Sequence, residues 1–121
     1  MLTKKTPDTI KATLTVKAMG VDTSLILTYH NHSPDAFDAF VKNPESVKAP
    51  DNVDPQDTRL LWAHMNAGVV LFIVKSFDDG TDEAFPLTRE GLVELERTWP
   101  ETLPGIIAGY HKARAASVEK N

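Results

Sequence analysis

His30 and His32, one residue apart with Asp35 close behind, are the first side chains in this sequence that could do chemistry. Alternate residues of a strand point to the same side, so the pair could offer two imidazoles to a transition metal. Zinc wants a third and fourth ligand held rigidly, with partners behind them, and no third is defined here. The competing reading is a polar strand end leading into a helix cap. Asp78, Asp79, Asp82 and Glu83 around Gly80 have a calcium-loop flavour. They lack the alternate-position oxygens and the distant bidentate glutamate of an EF-hand, so a solvated turn accounts for them. His64 and His111 fall on helical stretches without a partner at a recognisable spacing. No serine sits in a nucleophile elbow, no glycine-rich phosphate loop follows a strand, and no carboxylate pair is placed in a defined cleft. Trp62, Trp99 and Tyr110 remain as candidate anchors for a protein partner, with core filling as the alternative for each. The expectation is a protein that is not an enzyme and that uses neither cofactor nor metal.

Composition narrows the partners. The chain has 121 residues, 41% hydrophobic and 25% charged, with a formal net charge of -4. That length fits one domain, taken as 1–121, with one modest core. The negative balance leaves no basic field to neutralise phosphates, so no nucleic acid is expected. Cysteine is absent, which removes thiol nucleophiles and disulfide scaffolds and is compatible with a reducing compartment. The start MLTKKTPDTI has no signal-peptide core, and the longest apolar run, residues 67–74, is far short of the roughly 20 residues that span a bilayer. Neither a membrane partner nor export from the cytosol is expected.

The elements that would position these residues read as α+β: an N-terminal antiparallel β-hairpin packed with a predominantly α-helical C-terminal part. Residues 10–16 alternate Ile10, Ala12, Leu14 and Val16 with Lys11, Thr13 and Thr15, and the alternation returns at residues 25–30 after a Gly20-containing connection. That is a hairpin within residues 1–32. Ser33 as N-cap, Pro34 at the first helical position, and Phe37, Phe40 and Val41 on one face predict a short helix over 33–42. Two prolines, two asparagines and scattered charge make residues 43–54 a mobile loop. Asp54 and Pro55 repeat the cap signal and open a helical region over 55–121. Within it, VVLFIV at 69–74 is rich in β-branched residues. The absence of a polar turn before it favours a continued helix over a buried strand. Thr88 caps the next helix, with Leu87 and Leu92 placed as a hydrophobic staple. Trp99-Pro100 ends that helix, and Pro104 is tolerated in the first turn of the last one. Pro100 thus acts as a joint that folds two amphipathic helices against one another.

In order, the chain carries a lysine- and threonine-rich hairpin (TIKATLTVKAMG, then LILTYHN), SPDAFDAFV, IVKSFDDG, FPLTREGLVEL, the WP joint, GIIAGYHKA and a terminal KN. This order resembles the tail assembly chaperones of long-tailed bacteriophages and prophages, across most of the chain and most specifically in its C-terminal third. It departs from the family at Phe77, Gly80 and Glu119, where tryptophan, a closer glycine and arginine are common. The resemblance implies a non-enzymatic protein of the host cytoplasm. Such a protein binds the tape measure protein, keeps that long apolar chain soluble, helps tail tube protein assemble around it, and is absent from the mature virion. It also implies a homo-oligomer, and a chain ending at Lys120-Asn121 would correspond to the short product where a frameshifted longer one exists.

On this reading Leu92, Leu95, Trp99, Ile106, Ile107 and Tyr110 supply an apolar surface shared between core, self-association and a client helix. Their spacing provides the i, i+3, i+4, i+7 anchors that helix-in-groove recognition uses. A structural tail component retained in the virion is the alternative of a different class.

Overall fold

The apolar–polar alternation near the start produces two strands, β1 (Thr9–Ala18) and β2 (Val21–His30), in the computed structural model, which describes residues 6–18, 20–78 and 85–119. They pair antiparallel with Leu14 opposite Leu25 and Ala18 opposite Val21. Gly20, at φ 75°, takes a backbone conformation in the connection that side-chain-bearing residues avoid. The architecture is α+β: a three-stranded antiparallel sheet in the order β1-β2-β3, with helices covering one face. Central β2 buries Leu25, Leu27 and Tyr29, whereas the matching residues of edge strand β1, Ile10, Ala12, Leu14 and Val16, are only half-buried.

Residues 69–73 continue the helix as expected, and only Val74 departs from it. Helix α2 (Thr58–Ile73) runs through Ile73, and Val74 passes straight into β3 (Val74–Asp78), which pairs with the free side of β2. Val74 closes the helix, donating its N–H to Val70 O, while its own φ of -101° and ψ of 123° are already extended. The region 55–121 is therefore interrupted by strand. What decides the switch is non-local: β2 offers an open ladder edge, and Phe77 opposite Leu27 adds to the same apolar face. A single-segment propensity does not contain that contribution.

Helix α1 (Pro34–Lys42) starts as read, with Ser33 Oγ accepting from Ala36 N. The start of α2 differs: Asp57, not Asp54, is its N-cap, accepting from Leu60 N, and Asp54 instead accepts from Gln56 N in the preceding turn. Residues 43–54, read as a loop, contain a 3-10 turn at Pro44–Val47 that lies against α2. A Cβ on Gly68 would come within 2.9 Å of Ser46 O, which explains a glycine in the middle of this helix.

Thr88 caps α3 (Arg89–Thr98) through Gly91 N, and Arg89 donates to His64 O at 2.9 Å, tying the start of α3 to α2. Past Trp99 the chain turns through Pro100 and Glu101 into α4 (Thr102–Glu119), with Pro104 in its first turn. The core joins Leu27 and Tyr29 of β2, Val70 and Ile73 of α2, Leu92 and Leu95 of α3, and Leu103, Ile106 and Tyr110 of α4.

Candidate partner-binding groove

The elbow between α3 and α4 is built by hydrogen bonds that the apolar pattern does not reveal. The Glu96 carboxylate accepts from Glu101 N at 2.6 Å and from Leu103 N at 2.8 Å, satisfying two donors at the start of α4. A carboxylate there also complements the positive end of the helix. Buried Thr102 donates its hydroxyl to Trp99 O at 2.6 Å. Glu101 is held at φ 72°, a left-handed conformation that costs a side-chain-bearing residue roughly 1–2 kcal/mol. Glu96 and the two prolines together fix the direction in which α4 leaves.

Between this elbow and α2 lies an open groove of about 710 Å³. Leu60, Ala63 and Pro104 give it apolar walls, and exposed Arg59, Arg97 and Glu101 line it with charge of both signs. Trp62 of α2 also lines it and remains 58% exposed, the most exposed of the large hydrophobic side chains described. An indole on a concave surface presents a large rigid area at little entropic cost, the property that makes tryptophan a binding anchor.

The sequence-based stripe is distributed differently. Leu92, Leu95, Ile106 and Tyr110 are at most 4% exposed and occupy the core. Only Trp99 and Ile107 are half-buried at its margin. The spacing of 0, 3, 4 and 7 is satisfied by the sheet and by α2 and α3, which leaves those four side chains no surface to offer in this chain. Of the three aromatic anchors, Tyr110 and Trp99 pack with the core, while Trp62 does not.

Around the histidines the geometry is structural. The His32 ring stacks on Phe72 with centroids 3.8 Å apart, and Phe40 in turn stacks on Phe72 at 4.1 Å. His32 Nε2 lies 2.7 Å from Phe72 O, so this nitrogen carries the proton and donates. Its backbone N–H also reaches the Tyr110 hydroxyl at 3.2 Å. His30 is 5.7 Å away ring to ring, and Asp35 is exposed on the first turn of α1. Among the described residues no three His, Asp or Glu side chains gather as a metal cage would require. Asp79, Gly80, Asp82 and Glu83 of the acidic loop lie outside the described residues. His64 Nδ1 is buried without a hydrogen-bond partner. Burial, and secondarily the Arg89 guanidinium, push its pKa below the ordinary value against a smaller opposing pull from Glu90. The shift favours the neutral imidazole. His111 sits edge-on to Phe37 at 5.1 Å.

No known protein family, curated protein or solved structure matches this chain. No helix among the described residues is long and apolar enough to cross a membrane.

Proposed function

We propose that this protein is a non-enzymatic binding protein of the tail assembly chaperone type. It holds the tape measure protein of a long-tailed phage in the host cytoplasm, keeps it soluble, and promotes assembly of tail tube protein around it. The observation that carries the reading is Trp62, 58% exposed at a groove of mixed apolar and charged lining. The ordered series of sequence features shared with those chaperones gives the groove its client.

The client is an amphipathic helix laid along α2 and the elbow, with an apolar anchor against Trp62 and polar residues meeting Arg59, Arg97 and Glu101. Burying the exposed part of an indole removes on the order of 150 Å² from water, worth roughly 4 kcal/mol. That is enough to make one residue control affinity about a hundredfold.

Co-expression with the tape measure protein encoded in the same genome tests the proposal. The chain should co-purify with it and raise its soluble fraction, and Trp62→Ala should abolish both effects while leaving the chain folded. Failure of the unaltered chain to co-purify or to solubilise the tape measure overturns the reading. Stoichiometric recovery of the chain from mature virions would favour a structural tail component instead.

A further inference from the structure

Among the described residues no strand pairs with the outer edge of β1, and the register identifies which groups face it. Asn31 N donates to Asp8 O, so the hydrogen-bonded pairs of the hairpin are Ile10–Tyr29, Ala12–Leu27, Leu14–Leu25 and Val16–Thr23. The backbone N–H and C=O groups of Lys11, Thr13, Thr15 and Lys17 therefore point away from β2, and among the described residues the sheet has no strand beyond them. Beside this edge runs a concavity of about 460 Å³ that takes in residues from both faces of β1, Lys11 and Thr13 as well as Ala12 and Leu14, together with Gly109 and Lys112 of α4. It lies where the apolar face of β1 stays half-buried.

We infer that β1 accepts an extended acidic segment of a partner protein as a fourth strand. Strand addition joins main-chain hydrogen bonds to alternating side-chain pockets. Residues of the incoming strand opposite Lys11, Thr13, Thr15 and Lys17 lie on the open face of the sheet, and the residues between them point into the concavity. The segment thus alternates acidic or hydroxyl residues with small apolar ones.

Charge selects this occupant. Lys11 and Lys112 form none of the ion pairs found among the described residues. Lys11 stands opposite Thr28, and the residues one turn from Lys112 on α4 are alanines and a glycine. Lys17 stands opposite Asp22, which partly offsets it. A second copy offers no complementary charge, since it brings a second lysine-bearing edge to the first; in the register centred on Leu14, Lys11 of one chain even stands opposite Lys17 of the other, and like charges directly opposite destabilise a ladder.

The test uses the peptide acetyl-Glu-Val-Thr-Val-Thr-Val-Glu-amide, whose palindromic order gives the same pairs in either strand direction, and its counterpart with lysine replacing both glutamates. Binding is read by fluorescence anisotropy and by amide hydrogen exchange. The acidic peptide should bind at least tenfold more tightly than the basic one at low salt and slow exchange at Lys11, Thr13 and Thr15. Thr13→Pro removes an edge N–H, a substitution that edge strands tolerate, and should abolish binding with the fold retained. Lys11→Glu combined with Lys112→Glu should invert the preference, and decides the matter if the proline variant fails to fold. Equal affinity for the two peptides, no protection of the three amides, or undiminished binding to folded Thr13→Pro would overturn the inference. So would a concentration-dependent dimer that Thr13→Pro disperses, since it would make a second copy the occupant.

Discussion

Replacing Tyr29 by phenylalanine should destabilise the protein at neutral pH and relatively stabilise it in alkali. Tyr29 is 0% exposed, and its hydroxyl donates to Ile106 O at 2.8 Å, joining the central strand to α4. Losing that bond costs about 1 kcal/mol at pH 7, the usual net worth of one buried neutral hydrogen bond. Burial also pushes the phenol up from 10.0 to about 12. In the unfolded chain the phenol ionises first, so between pH 10 and 12 the unfolded state holds fewer protons and stability falls as pH rises. The contribution is intact below the unfolded pKa and lost as pH climbs through the folded one. Each pH unit between those two pKa values removes about 1.36 kcal/mol, so the native chain has lost about 2 kcal/mol by pH 11.5. Phenylalanine has no such loss, so the variant should be the less stable at pH 7, match the native chain near about pH 11 and exceed it above that. Urea unfolding of both proteins from pH 7 to 11.5 measures the difference directly, because every other group is common to the two proteins. Two curves that stay parallel from pH 9 to 11.5 would refute a buried, neutral Tyr29 bridging sheet and helix.

Gly109→Ala should cost roughly 1–2 kcal/mol after crediting alanine's better helix propensity, because the new Cβ would lie 2.9 Å from the Tyr29 hydroxyl; in Tyr29→Phe the cost should shrink, as a double-mutant cycle by urea unfolding will show. Glu96→Ala removes both acceptors at the start of α4 and should lower stability by about 1–2 kcal/mol, the usual worth of a helix cap, seen as a lower midpoint at unchanged m-value. Trp62→Ala should leave the unfolding free energy within about 0.5 kcal/mol, as for an exposed site, and a larger loss would place the indole in the core. Glu101→Gly relieves a residue at φ 72° and should raise thermal stability by up to about 1 kcal/mol while weakening any partner held in the groove.

The local signals in the sequence were legible wherever one residue's chemistry settles one backbone group. Ser33 and Thr88 cap the helices they were expected to cap, and Trp99-Pro100 ends α3. The hairpin followed from period two alone. What was not legible depended on distant partners. VVLFIV has no internal sign that its last valine leaves the helix, because the reason is the vacant edge of β2. Asp54 and Asp57 compete as caps within one acidic turn, and only the packed helix separates them. The stripe of Leu92, Leu95, Ile106 and Tyr110 has the same spacing whether it meets a client or its own sheet, so periodicity could not assign it. Trp62 was visible as an aromatic, but its exposure follows from where the elbow places its neighbours, and the Glu96 cap that sets the elbow leaves no sequence signature.

Both concave surfaces arise where a helix is located by a specific polar contact rather than by broad apolar packing. At one end of α4, the Glu96 carboxylate and the Thr102 hydroxyl fix the turn. With the helix start held there, Pro100 and Pro104 stand off from α2 and the groove beside Trp62 stays open. Farther along, the Tyr29 hydroxyl ties α4 to the central strand, and the bare Cα of Gly109 permits the approach. The helix itself lies over β1, where Gly105 faces Leu14, but it leaves the outer flank of that strand uncovered. Ile10, Ala12 and Leu14 accordingly stay half-buried at the edge, while Tyr29 and Ile106 are completely buried between sheet and helix. Because Tyr29 and Gly109 both line the β1 concavity, a variant that breaks their contact should reshape it as it loosens the core, coupling strand binding to stability in a way that substitutions at Trp62 will not.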